Sequence, residues 1–203
     1  MGGPDAARKI WQGKEKAVQQ AEASHVLLPI IKECMEYGFS SFLGPAIVKL
    51  TQLYVEEGKG IPLFVDLPLG PVLDQVLSIL SKHIGLYKLI LKKCQITAGQ
   101  IEPLAKWISA NHKGTTEMYL NDNTSIGKGS QAIFSALMMN SSLKCVALSN
   151  CGLQDEDAEV LLEKLTKMQL VELNLSGNNF TEGMKARLRA TALHCKGLDS
   201  LHC

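Results

Sequence analysis

The chain has 203 residues and is 46% hydrophobic, enough to bury one substantial core. Its 21 Lys and Arg against 20 Asp and Glu leave a net charge of +1, so no global field draws it to nucleic acid or anionic lipid. No apolar run approaches the roughly 18–20 residues a membrane span needs, and the polar start Met1-Gly2-Gly3-Pro4-Asp5-Ala6 lacks a secretory signal core.

The cysteines at 34, 94, 145, 151, 195 and 203 form no CxxC pair and no dense framework. Free thiols and a cytoplasmic location are therefore expected. The N-x-S/T sequons at Asn123, Asn140, Asn174 and Asn179 then read as chance, with Asn123 expected in the interior.

Residues 1–24 are polar, with helix formers behind Gly and Pro, and read as a partly helical extension anchored by Trp11 and Val18. From His25 the chain turns apolar. Pro29 near one helix start, Gly38 at its close and Gly44-Pro45 opening another predict a helical N-terminal cap over 25–60. Residues 61–70 are strand-like but carry Pro62 and Pro68, which suits an edge or capping strand. Leu73, Val76 and Leu80 lie 28 residues before Ile101, Leu104 and Ile108. By that offset Ile61 and Leu63 align with Leu89 and Leu91, giving a degenerate unit over 61–85.

Four clear units follow over 86–197. Their starts at 86, 115, 143 and 170 are spaced by 29, 28 and 27 residues. The third reads Leu143-x-x-Val146-x-Leu148-x-x-Cys151-x-Leu153, and the fourth Leu170-x-x-Leu173-x-Leu175-x-x-Asn178-x-Phe180. This is the leucine-rich-repeat pattern: a short strand, an inward Asn or Cys, then a returning helix, with a core completed only by stacking neighbours. Helices are predicted near 71–83, 99–111, 129–139, 155–167 and 181–194. Ile126 comes one residue late, which predicts a local bulge. A fifth strand begins at 198–203, either as a terminal edge or as the start of a longer array. An exposed edge of that kind is a template for self-association.

The inward position alternates Cys94, Asn123, Cys151, Asn178, in units of 27–29 residues with full helices. This resembles the ribonuclease-inhibitor type of leucine-rich repeat over 86–180. The resemblance implies an α/β horseshoe segment, with parallel strands on the concave face and helices on the convex face. The type also occurs in activators of the Ran GTPase and in tropomodulins, so GTPase regulation and actin binding stand as alternatives to a general protein-interaction module. The acidic C-terminal tract of the Ran activators is absent.

Other motifs carry little chemistry. His194-Cys195 and His202-Cys203 fit no standard zinc spacing. Gly127-Lys128-Gly129-Ser130 lacks the phosphate-loop spacing and suits a repeat turn. Asp155, Glu156, Asp157 and Glu159 open a predicted helix, where carboxylates complement the dipole as a solvated cap. No catalysis, cofactor or metal is expected, and the partner is expected to be another protein.

Alternation along the strands points instead to a binding face. Side chains between the inward leucines stack in rows: Lys88, Glu117, Cys145, Glu172; then Ile90, Tyr119, Ala147, Asn174; then Lys92, Asn121, Ser149, Ser176. Tyr119 is the one aromatic in these rows and the expected anchor, since aromatics dominate interface energetics. Around it stand Lys88, Ile90, Lys92, Lys93, Glu117, Asn121, Asp122, Glu172 and Asn174. The competing structural account is a solvated surface on which Tyr119 only covers Ala147.

Overall fold

The computed structural model describes residues 63–65, 69–70, 73–81, 88–110 and 114–203. The predicted extension (1–24) and helical cap (25–60) lie outside the described residues. The described chain alternates strand and helix: β1 (Leu63–Val65), α1 (Leu73–Ser81), β2 (Lys88–Lys92), α2 (Ile101–Ser109), β3 (Glu117–Tyr119), α3 (Ser130–Leu137), β4 (Cys145–Ala147), α4 (Asp155–Leu165), β5 (Glu172–Asn174), α5 (Glu182–Ala192) and β6 (Ser200–His202). The six strands form one sheet in chain order, every neighbouring pair parallel. The result is a short, open α/β array on one parallel sheet, consistent with a leucine-rich-repeat-like solenoid.

Each element follows from its residues. In α2, Ile101, Leu104, Ala105 and Ile108 fall at i, i+3, i+4 and i+7 and are all buried. Single 3-10 turns at Ala98–Gln100 and Gly127–Gly129 lead into α2 and α3. At the head of α4, Asp157 accepts a bond from the Gln154 N–H at 3.0 Å, and at α5 Thr181 Oγ1 accepts from the Met184 N–H at 3.2 Å. These carboxylate and hydroxyl oxygens satisfy N–H groups that a helix start leaves free. Within the strands Leu89, Leu91, Met118, Val146 and Leu173 point into the core and are at most 2% exposed. Burying each such side chain contributes about 2 kcal/mol before the cost of ordering it.

The first unit departs from expectation by one residue. Leu63 pairs with Ile90 and Phe64 with Leu91, so the strand offset is 27 and not 28. Leu73, Val76 and Leu80 are buried, as the 28-residue helix offset requires. The connection from strand to helix is therefore one residue shorter than in the next unit, in the stretch that holds Pro68.

The late Ile126 is accommodated by a turn: its N–H donates to the Asn123 carbonyl at 3.1 Å, and its side chain is fully buried.

The alternating Cys and Asn have a common use. Asn123 accepts from the N–H groups of Cys94 and Ile96 at 2.9 and 3.1 Å, and donates to the carbonyls of Leu91 and Leu120 at 2.8 and 2.7 Å. Asn178 repeats this with Cys151 N, Leu153 N, Leu148 O and Leu175 O at 2.9, 3.1, 2.8 and 2.7 Å. Each asparagine thus bonds the turn of the cysteine unit before it as well as its own strand. The Cys151 thiol reaches back in turn to the Leu120 carbonyl at 3.2 Å.

Candidate functional site

The strand register assembles the predicted rows. Lys88, Glu117, Cys145, Glu172 and Ser200 stand side by side, as do Ile90, Tyr119, Ala147, Asn174 and His202. Parallel neighbours are about 4.8 Å apart, so groups in a row are within reach of one another. Lys88 Nζ lies 3.0 Å from Glu117 Oε2 and 4.8 Å from the centre of the Tyr119 ring. The Tyr119 hydroxyl donates to the same Glu117 oxygen at 2.9 Å. Burial first, then this bond, raises the phenol well above its ordinary range, so the hydroxyl remains a donor. The cation over the ring and the bonded hydroxyl together restrain the orientation of Tyr119.

The rest of the predicted set divides. Lys92 pairs with Asp122 at 3.4 Å. A bond from Asn150, then Lys92, holds the Asp122 carboxyl below its usual range. Lys93 sits with φ +55° and lines a polar cleft with Gln95, Thr97, Asp122, Thr124 and Ser125 at the loop edge of the sheet. It shares this cleft with Asp122, another residue of the predicted set. Asn121 accepts from the Ser149 N–H at 3.1 Å, and Asn174 from the Ser149 hydroxyl at 2.9 Å. These polar groups are committed to bracing the loops. Glu172 has His202 Nε2 at 3.9 Å, and His202 meets the Ser200 hydroxyl at 2.8 Å. The sequence signal for His202 was its place 28 residues after Asn174, masked by its position near the chain end.

The other motifs resolve as structure. Asp157 is 1% exposed and also accepts from Gln131 Nε2 at 3.3 Å, so it is a buried brace between α3 and α4 and not a solvated cap. Asp155 accepts from the Thr181 N–H and hydroxyl at 2.9 and 2.7 Å, and Glu159 holds Arg187 through a two-pronged pair. The acidic tract therefore stitches α4 to the unit that follows it. Among the described residues no group of three His, Cys, Asp or Glu is placed to hold a metal, and no helix is long and apolar enough to cross a membrane.

The thiols separate by environment. Cys94 and Cys151 are fully buried, and burial pushes the Cys151 thiol up to about 12. Cys145, Cys195 and Cys203 are partly exposed. Under native conditions at mildly alkaline pH, maleimide labelling followed by peptide mapping is expected to modify these three. Cys94 and Cys151 should react only through opening of the fold. Labelling of Cys151 as fast as Cys195 would contradict the inward placement.

A family model for a leucine-rich repeat matches residues 140–162, which take in β4, its loops and the first part of α4. No curated protein matches the chain. The match, with the repeated strand–helix units around it, supports a leucine-rich-repeat protein, and proteins of this kind generally act as protein-interaction modules.

Proposed function

We propose that the chain binds another protein through the open face of its sheet, centred on Tyr119, and acts by binding and not by catalysis. The observation that carries this reading is the Lys88–Glu117–Tyr119 cluster. An aromatic held in place by a cation and a carboxylate costs little entropy to bury, and it sits beside the low floor of Ala147 with Ile90 on its other flank. The alternation of Cys and Asn supports the ribonuclease-inhibitor type, with this face concave. The absence of any CxxC pair or dense cysteine framework in the sequence supports a cytoplasmic site of action.

The test is affinity capture from cytosol, comparing the wild-type chain with a Tyr119→Arg, Lys92→Glu variant whose fold is checked by circular dichroism. Purified Ran and actin serve as two defined candidates. A partner held by the wild type is expected to lose at least about 30-fold in affinity for the variant, the equivalent of roughly 2 kcal/mol at an anchor residue. A partner that binds both chains equally would move the binding surface to the helices or the N-terminal region.

A further inference from the structure

We propose that the open face takes a basic segment of the partner protein, seating an arginine over Cys145 between the carboxylates of Glu117 and Glu172. This assignment rests on protein binding at that face and adds the chemistry of what is bound. The strands that carry the seat, β3, β4 and β5, each have a paired neighbour on both sides.

The strand register supplies the geometry. Glu117, Cys145 and Glu172 stand in one row across β3, β4 and β5. The two glutamates are two strand spacings apart, about 9.6 Å between backbones, and the shorter cysteine side chain lies low between them. Cys145 is partly exposed, whereas Ala147, two residues along the same strand, is 5% exposed. The opening therefore lies at Cys145, with Tyr119 on the wall beside Glu117.

The charges of the face leave this seat negative. Lys88 is paired with Glu117 at 3.0 Å, and Lys92 with Asp122 at 3.4 Å. No lysine or arginine among the described residues pairs with Glu172. His202 Nε2 is 3.9 Å from its carboxylate, too far for a hydrogen bond, and that nitrogen already meets the Ser200 hydroxyl at 2.8 Å. One carboxylate of the row is thus left without a strong cation. Its field reaches the floor of the seat. Burial first, then Glu172 and Glu117, hold the Cys145 thiol above its ordinary range, and Lys88 opposes them as the weakest influence.

An arginine fits this seat better than a lysine. A guanidinium carries N–H donors around a plane and can bond a carboxylate on each side at once, whereas an ammonium is a point charge. It also stacks on aromatic faces, and the Lys88 nitrogen 4.8 Å from the Tyr119 ring centre shows that this ring accepts a cation. The incoming arginine would neutralise Glu172 and share Glu117 with Lys88.

Fluorescence anisotropy of the full chain with fluorescein-labelled repeat peptides of Gly-Arg, Gly-Lys and Gly-Glu tests this. The Gly-Arg peptide is expected to bind most tightly and the Gly-Glu peptide not at all. Glu172→Gln keeps the shape and removes the charge, and should weaken Gly-Arg binding by at least about 10-fold, the worth of one charge-assisted pair. Glu163 is exposed on α4, so Glu163→Gln makes the same change in net charge away from the seat and should leave binding as it is. A chain that binds no Gly-Arg peptide overturns the proposal. So does an equal effect of the two substitutions, or a Gly-Lys peptide held as tightly as Gly-Arg. A captured partner lost by the Tyr119→Arg, Lys92→Glu variant but held undiminished by Glu172→Gln would keep the open face as the binding surface and strike only the basic segment.

Discussion

Replacing Asn123 with alanine is expected to lower the unfolding free energy by about 3 kcal/mol, because it strands two backbone N–H and two C=O groups in an interior from which water is excluded. Asn123 is 1% exposed, and its four bonds tie the turn after β2 to the end of β3. Asn178 makes the matching four bonds but is partly exposed. Water can replace some of its bonds, so Asn178→Ala should cost about half as much. Denaturant unfolding of the two variants measures the difference directly. Equal losses would mean that burial does not govern the ladder. A loss under about 1 kcal/mol at Asn123 would mean that the backbone groups find other partners.

Gly152→Ala is expected to cost a similar amount for a different reason. Gly152 follows Cys151 with φ +72°, and an added Cβ would lie 2.2 Å from the Thr124 carbonyl oxygen. The left-handed backbone alone costs an alanine about 1 kcal/mol, and the contact with main chain must be relieved by moving one unit against the next. Gly197 provides the control. It has φ +85° with nothing within 4 Å of an added Cβ, so Gly197→Ala should show the backbone cost alone. If the two substitutions destabilise equally, the close approach of neighbouring turns plays no part in the stacking.

The repeat register was legible because a leucine at a fixed place in each unit can be buried only one way. Leu143 with Leu170, and Val146 with Leu173, align by count, and the pairing of Val146 with Leu173 follows. The first unit slipped by one residue because its shorter connection is hidden in a Pro-interrupted run with no inward Asn or Cys to mark the turn. Asp157 was misjudged for a related reason. A run of acidic residues at a helix start suggests solvent, and only the packing of α3 against α4 shows that one of the run is enclosed with Gln131 as its partner. At the open face, the Lys88–Glu117 pair followed from strand spacing alone. The bond from the Tyr119 hydroxyl to Glu117, the commitment of Asn121 and Asn174 to Ser149, and the turning of Lys93 into the loop cleft depend on rotamers and on a positive φ that residue type does not signal.

The proposed binding surface is the open sheet face and not the helical side. Hydroxyl-radical footprinting of the chain alone and in complex with its captured partner compares two reactive side chains on different surfaces. Tyr119 stands on the sheet face, and Met139, 72% exposed, lines the groove between α2 and α3. Oxidation of Tyr119 is expected to slow on binding while that of Met139 stays unchanged. Protection of Met139 with Tyr119 as reactive as before would contradict the account and place the partner on the helices.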